Sequence, residues 1–202
     1  MSRLPLLAVL LLILAVALRG TEPTDLGHGL GYLRVRSLEE AIAPLAGKNA
    51  VVLDLRQVTA TPESIPLFSA ALSARPTGSR LFVLVSPDTP DAVAEILQGS
   101  LVTLGTKGSR PKPQVEVMQS VDDDRRAYAA LTDGTPLPDL VSGKIEKERY
   151  DEASLVQEFK NGNHDARPPT GAPKTTASPP RVTDRVLQRA IHLHRALLAL
   201  QR

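Results

Sequence analysis

Two apolar runs, each followed by a helix-like segment, constrain this chain more than any other feature. The runs are NAVVLDLRQV (49–58) and SRLFVLVS (79–86). A near-continuous apolar run of this length is typical of a strand that is buried on both faces of a sheet. The alternating segment GYLRVRS (31–37) predicts another strand before them.

Segments with helical patterns separate the predicted strands. SLEEAIAPLAG (37–47) carries Ser37 as a candidate N-cap and Glu40 three residues later, which is the pattern of a capping box. TPESIPLFSAALSAR (61–75) and TPDAVAEILQGSL (89–101) follow the two apolar runs. Strands that alternate with helices predict an α/β fold with a mainly parallel sheet and helices on both faces.

The turns after the two buried strands are the first place to look for a ligand. They are DLRQVTATPE and SPDTPD. In open α/β sheets ligands bind beyond the carboxyl ends of the strands, so we expect a site at these turns.

After residue 101 the pattern is weaker. LVTLGTKGSRPKPQVEVMQS (101–120) contains two possible strands around a Gly/Lys-rich turn. DDDRRAYAAL (122–131) predicts a short helix whose first turn is acidic, as the helix dipole favours. DGTPLPDLVSG (133–143) is predicted to be a loop, and RYDEASLVQEFKNG (149–162) to be a helix.

The N-terminal segment predicts export. MSRLPLLAVLLLILAVALRG has an early Arg3 and an apolar run from Leu4 to Leu18, which is shorter than the roughly 20 residues of a bilayer span. The small residues Ala15 and Ala17 offer a cleavage site, as in a secretory signal peptide. An uncleaved N-terminal anchor is the alternative, and either reading predicts a place in the periplasm or cell envelope.

The chain divides into five parts. Residues 1–20 are a signal peptide or N-terminal anchor, 21–30 a linker and 31–160 the α/β domain. Residues 161–181 are rich in Pro, Gly and Thr and are predicted to be a disordered linker. Residues 182–202 form an amphipathic C-terminal helix, whose apolar face is Val186, Leu187, Ala190, Ile191, Leu193, Leu197, Leu198 and Leu200.

Composition excludes several classes of function. The chain has no cysteine, so disulfides and thiolate catalysis are excluded. Aromatic residues make up 3% and the net charge is +2, so we expect no nucleic-acid partner. His192 and His194 are two positions apart and do not share a helix face, and Asp122–Asp124 is explained as an acidic helix start. We therefore expect neither a metal site nor a cofactor.

Three segments, taken in order, resemble the core of the C-terminal processing (tail-specific) proteases. They are GYLRV, VVLDLRQVTATPES and FVLVSPDTPDAVAEIL, and GTPLPDLV and DRVLQRAIHLHRALLAL resemble later parts of the same family. The resemblance covers roughly residues 31–160 and 184–200. It implies a ClpP/crotonase-like α/β fold with a closing C-terminal helix. In that family a Ser-Lys dyad cleaves peptides.

The departures from the family pattern point away from catalysis. The resemblance puts Asp91 or Ala92 at the position of the nucleophilic Ser, and neither attacks a peptide as a base-activated Ser does. The segment QVTATPE replaces the family's glycines, and no PDZ domain is expected before the core. The chain is therefore predicted to be an exported, non-catalytic homologue of tail-specific serine proteases, acting as an accessory module.

An extended peptide or a protein C-terminus is the expected ligand of this module. The candidate binding residues flank the two turns, and they are Arg56, Thr59, Thr61, Asp88 and Thr89. Asp54 and Arg56 share a face by the strand period, so Arg56 either holds a substrate carboxylate or forms a structural ion pair with Asp54.

The alternative is an active, divergent serine endopeptidase with a Ser-Lys dyad. Ser86 would be the displaced nucleophile and Lys107 the base, although Ser100 and Ser109 are also hydroxyl candidates. Such a dyad needs the hydroxyl within roughly 2.6–3.2 Å of the amine. Otherwise Ser86 caps the following turn and Lys107 is a solvated loop charge.

A purely structural role is the remaining possibility, with assembly through the sheet edge or the C-terminal helix. That helix either packs back onto the domain or contacts a partner or a membrane surface. Apart from this possibility, membrane contact is expected only through an uncleaved N-terminal segment.

Overall fold

A single six-stranded sheet organises the computed structural model, which describes residues 22–47, 49–97, 101–142 and 182–201. The strands lie side by side in chain order. They are β1 (Thr24–Asp25), β2 (Leu30–Arg34), β3 (Ala50–Asp54), β4 (Leu81–Val85), β5 (Val102–Thr106) and β6 (Val115–Val117). The helices of the described ranges are α1 (Leu38–Leu45), α2 (Ser64–Ser73), α3 (Asp91–Ile96), α4 (Val121–Thr132), α5 (Leu137–Val141) and α6 (Arg185–Ala199).

Strands β2 to β6 are parallel, and β1 pairs antiparallel with β2 at one edge. The register aligns Val52 with Tyr32 on one side and with Phe82 on the other. The α/β class and the mainly parallel sheet are therefore confirmed.

The strand period divides the buried side chains between two cores, one on each face of the sheet. Val51 and Leu53 of β3 pack with residues of α1, α2 and α3. Val52 points the other way and packs with Phe82 and with apolar residues of α6. Both cores are mainly aliphatic, and the helices cover both faces, as the two apolar runs predict.

The ends of several elements differ from the prediction. Strand β3 ends at Asp54, four residues before the apolar run does, because the Asp54 carboxylate accepts the Arg56 N–H and turns the chain. Ser37 is the N-cap of α1 but makes no capping hydrogen bond. Instead, the Glu40 carboxylate accepts the N–H of Arg36, one residue earlier than a capping box requires.

The predicted loop at residues 133–143 is wrong, because it contains helix α5 (Leu137–Val141). Pro136 is its N-cap with φ −59°, and Pro138 stands in its first turn. Proline is accepted there because the first turn of a helix needs no N–H donor. The prolines that suggested a loop therefore begin a helix.

The C-terminal helix α6 packs back onto β4, β5 and β6, as one alternative predicted. His194 is buried in its inward face, whereas His192 is exposed, so the two histidines lie on different faces. Leu197 and Leu200, predicted as part of the same apolar face, are 39% and 83% exposed.

Some predictions fall outside the described ranges. They are the signal or anchor (1–20), the helix at 149–162 and the linker at 161–181. No helix in the part of the chain that the structure describes combines the length and apolar character needed to cross a bilayer.

The backbone of β5 at Gly105 lies so close to β4 that a side chain there would meet the β4 backbone, and a mutation can test this. A Cβ there would lie 2.6 Å from the Val85 carbonyl oxygen and 2.7 Å from Ser109 Oγ. Because the β4 backbone cannot withdraw freely, we expect Gly105→Ala to lower the free energy of unfolding by about 1–3 kcal/mol in urea titrations. Gly47→Ala is the control, since its Cβ would meet only the Pro44 carbonyl at 3.3 Å on the surface. Equal stability of the two variants would contradict this expectation.

Candidate functional site at the carboxyl edge of the sheet

The carboxyl ends of β3 to β6 lie along one edge of the sheet, where α/β proteins bind ligands. Arg56 follows β3, Ser86 follows β4, Lys107 follows β5 and Met118 follows β6. The edge has a closed part beyond β3 and β4 and an open part beyond β5 and β6.

The closed part is built around Arg56, whose side chain is 1% exposed. Its guanidinium donates to the carboxylates of Asp54, Asp124 and Asp184, each at 2.7 Å. Asp54 ends β3, Asp124 belongs to the first turn of α4 and Asp184 is the N-cap of α6. We call Arg56 and these three aspartates the Arg56 cluster.

Local sequence explains how each member of the Arg56 cluster is placed. Val52, Asp54 and Arg56 are two residues apart, so all three face the α6 side of the sheet. Asp184 caps α6 by accepting the Leu187 N–H at 2.9 Å, which leaves its other oxygen for Arg56. The shared face of Asp54 and Arg56 was predicted, and their ion pair is the second of the two alternatives considered for Arg56. The roles of Asp124 and Asp184 were missed.

Tyr32 extends the cluster from the neighbouring strand. Its hydroxyl donates to Asp54 Oδ2 at 2.7 Å. Burial, followed by the charge of Asp54, raises the pKa of Tyr32 well above 10.0. Tyr32 is therefore a neutral donor at any physiological pH.

The cluster contains three carboxyl groups and a single guanidinium, so its members titrate differently. Burial alone would raise the pKa of Asp54, but the Arg56 charge and hydrogen bonds outweigh burial and lower it below 3.8. Burial raises the pKa of Asp124 above 3.8, and Arg56 compensates only in part. Burial opposes the charge of Arg56, yet Asp184 and Asp54 hold its pKa well above the ordinary value. Asp124, with its raised pKa, therefore takes up a proton at a higher pH than Asp54, with its lowered pKa.

Helix α4 is fastened over the closed part by two further contacts. Arg34 at the end of β2 lies over the Tyr128 ring, 3.8 Å from its centroid, and donates to Thr132 Oγ1 at 2.7 Å. Arg125 forms a bidentate ion pair with Asp88, at 2.9 and 2.8 Å. The space beneath α4, between Arg56 and Ser86, has no room for a water molecule.

Ser86 is 3% exposed, and its hydroxyl is used by the backbone. It donates to the Arg56 carbonyl and accepts the Asp88 N–H at 3.1 Å. Thr89 Oγ1 accepts the Ser86 N–H at 3.0 Å and donates to the Leu55 carbonyl at 3.1 Å. These bonds join the turn after β4 to the end of β3, which is the capping role considered for Ser86.

Lys107 lies in the open part, on a groove of about 600 Å³ beside edge strand β6. We call it the β6 groove. It is lined by Lys107, Glu116, Val117, Met118, Gln119, Ser120, Asp123, Arg126, Val182, Thr183 and Arg185. Within the described residues, Lys107 is exposed and no hydrogen bond joins it to Ser86.

The other candidate residues are scattered around the edge. Thr59 is exposed and donates to the Arg36 carbonyl at 2.9 Å. Thr61 is exposed, and its hydroxyl accepts the Ser64 N–H at 3.2 Å at the start of α2. Asp91 begins α3, is exposed and pairs with Arg110 at 3.3 Å. Arg56, Asp88 and Thr89 lie together near Ser86, whereas Thr59 and Thr61 lie towards α1 and α2.

Of the two further candidate hydroxyls, only that of Ser109 lies within the described residues. Ser109 is buried, with its Oγ 3.4 Å from Thr106 Oγ1, and Ser100 lies outside the described residues. Across the described ranges, no group of three or more His, Asp or Glu side chains is arranged to hold a metal ion.

The chain matches no protein-family model, no curated protein and no solved structure at a significant level. The resemblance to tail-specific proteases is therefore a hypothesis that depends on the quoted segments. Any function assigned to the chain depends on the geometry of the carboxyl edge.

Asp124 and Asp54 of the Arg56 cluster should affect stability in opposite directions as pH changes. Asp124, with its raised pKa, stabilises the fold most below pH 3.8, and this contribution is lost as pH rises through the raised value. Asp54, with its lowered pKa, contributes above pH 3.8 and loses its contribution as pH falls through the lowered value.

We therefore expect Asp124→Asn to gain stability relative to the wild type as pH rises above 3.8. Asp54→Asn should lose stability relative to the wild type as pH rises through the region below 3.8. Urea unfolding between about pH 3 and pH 6 measures both differences. Slopes of the same sign for the two variants would show that the proton does not go to Asp124.

Proposed function

We propose that this chain is an exported, non-catalytic relative of the tail-specific serine proteases that binds an extended peptide or a protein C-terminus. The closed part of the carboxyl edge is the observation that carries the proposal. There the Arg56 cluster fills the space beyond β3 and β4, and the Ser86 hydroxyl is bonded to the backbone. A scaffold with this edge filled is suited to binding elsewhere on its surface.

The assignment of the chain to the ClpP/crotonase-like fold is part of the same proposal. A parallel sheet with its strands in chain order and helices on both faces is compatible with a ClpP/crotonase-like fold closed by a C-terminal helix. The location in the periplasm or cell envelope depends on the apolar run at residues 4–18.

The β6 groove is the proposed site of the peptide. Edge strand β6 runs beside it, and an edge strand can pair with an extended chain. The groove carries Lys107, Arg126 and Arg185 against Glu116 and Asp123, so cations exceed carboxylates by one. This excess suits a terminal carboxylate.

Met118 supplies an apolar contact at the same groove, because its side chain is 91% exposed. Extended peptides are held at sheet edges by main-chain hydrogen bonds, while side-chain contacts set the preference. An exposed methionine adapts to varied apolar side chains. The ligand that fits best is therefore an extended chain with apolar residues near a free C-terminus.

A degradation assay separates this proposal from the serine endopeptidase. The purified full chain and its Lys107→Ala and Ser86→Ala variants are incubated with a denatured protein. We expect no cleavage by any of the three. Ser86→Ala should also unfold more easily by about 1–3 kcal/mol, since the buried Arg56 carbonyl loses its donor and the part-buried Asp88 N–H loses its acceptor. Cleavage by the wild type that is lost in a folded Lys107→Ala variant would establish a Ser-Lys peptidase instead.

Peptide binding can be localised with a matched pair of surface variants. The probe is a fluorescent pool of random decapeptides with free carboxyl ends, compared with the same pool as C-terminal amides. We expect Met118→Asp to weaken binding about tenfold, because an apolar contact is lost and a like charge is placed near the terminal carboxylate. Leu67→Asp is the control, since Leu67 is 56% exposed on α2, on the opposite face of the sheet. Equal affinity of wild type and Met118→Asp would exclude the β6 groove.

A further inference from the structure

The apolar face of helix α6 continues beyond the part that the domain covers. Val186, Leu187, Ala190 and Ile191 are buried against the sheet, and His194 is the last buried residue. One turn later, Leu197 is 39% exposed, and Leu200 just after the helix is 83% exposed. The last turn therefore presents leucines to solvent at the end of an otherwise buried face.

The exposed side of α6 is cationic. From Arg185 to Ala199 the helix has three arginines and two histidines and no acidic residue. Arg189, His192 and Arg195 are exposed. Within the described residues neither Arg189 nor Arg195 has a hydrogen-bond or ion-pair partner, whereas Arg125 and Arg126 of α4 both pair with aspartates.

The beginning of the domain lies beside α6, on the side that carries Arg195. Residues of β1, α5 and α6 enclose a cavity of about 380 Å³, which Asp25, His192 and Arg195 line together. Asp25 is the acidic residue of this lining. Strand β1, the first described element, therefore lies beside α6.

We propose that the exposed end of α6 is a docking surface for an anionic lipid bilayer. Leu197 and Leu200 would enter the boundary between headgroups and acyl chains, and Arg189, which lies on the same side of the helix as Leu200, would contact lipid phosphates. The affinity of a basic amphipathic helix for a membrane comes from the burial of apolar side chains and from the attraction of its cations to anionic lipids. The surface is separate from the β6 groove, so the inference stands or falls independently of the proposed peptide binding.

Charge decides between a bilayer and a second copy of the chain. In a symmetric dimer the same patch meets itself, so the α6 arginines of two copies would face each other without acids on either helix. An anionic lipid surface supplies the missing negative charge. Lipid is therefore the occupant that this surface fits.

The absence of cysteine allows a direct test in the full chain. Gln201→Cys, next to the exposed leucines, is labelled with a polarity-sensitive fluorophore. Ala70→Cys, exposed on α2 on the opposite face of the sheet, carries the same label as the control. The probes are vesicles of phosphatidylcholine alone and vesicles that also contain phosphatidylglycerol.

We expect a blue shift of the label at 201, not at 70, with the anionic vesicles. The shift should weaken as salt is raised, because salt screens the attraction to the surface. Replacing Arg189 by Gln should lower the apparent affinity by about fivefold, whereas Arg195→Gln, on the opposite side of the helix from Leu197, should change it less. Both arginines are exposed and unpartnered among the described residues, so the variants should fold like the wild type.

Three outcomes would overturn the inference. One is an unchanged label at 201 while the chain sediments with the vesicles, which would assign the attachment to the N-terminal apolar run alone. Another is an equal shift with neutral and anionic vesicles. The third is a shift that depends on protein concentration without vesicles, which would identify a second copy as the occupant.

Discussion

The burial of one arginine is the constraint on which this structure depends. A buried guanidinium is tolerated only when its donors are paired, because leaving it or its partners unpaired costs about 3–5 kcal/mol. Arg56 meets this requirement with Asp54 beside it on β3, Asp124 on α4 and Asp184 at the start of α6. The end of β3 and the starts of α4 and α6 must therefore meet at Arg56. Ion pairs as well as apolar packing determine the positions of α4 and α6.

The same interaction determines where a ligand can bind. The carboxyl ends of β3 and β4 form the usual binding crevice of a parallel sheet, but here the Arg56 cluster and the Ser86 bonds occupy it. The open surface lies one and two strands further along, beside Lys107 and Met118. Stability and binding therefore use adjacent parts of one edge, and the edge strand β6 borders the part that remains accessible.

Local periodicity was enough to predict most of the fold. The apolar runs predicted β3 and β4, and the two-residue period placed Asp54 and Arg56 on one face. The rest of the cluster was not predictable in this way, because Asp124 and Asp184 lie 68 and 128 residues from Arg56. In the sequence, Asp124 is explained as part of an acidic helix start and Asp184 as an N-cap. Neither local role indicates a contact with Arg56. Helix α5 was missed for a different reason, since prolines occur both in loops and in first turns of helices.

The separation of 128 residues between Arg56 and Asp184 affects the order in which the Arg56 cluster can form. Until α6 is available, Asp54 and Arg56 lack one of their partners, and the face of the sheet that bears Val52 and Phe82 is uncovered. Contacts of such large sequence separation form slowly, because a long loop must close before they contribute. Without α6, therefore, both the Arg56 cluster and this face of the sheet stay incomplete.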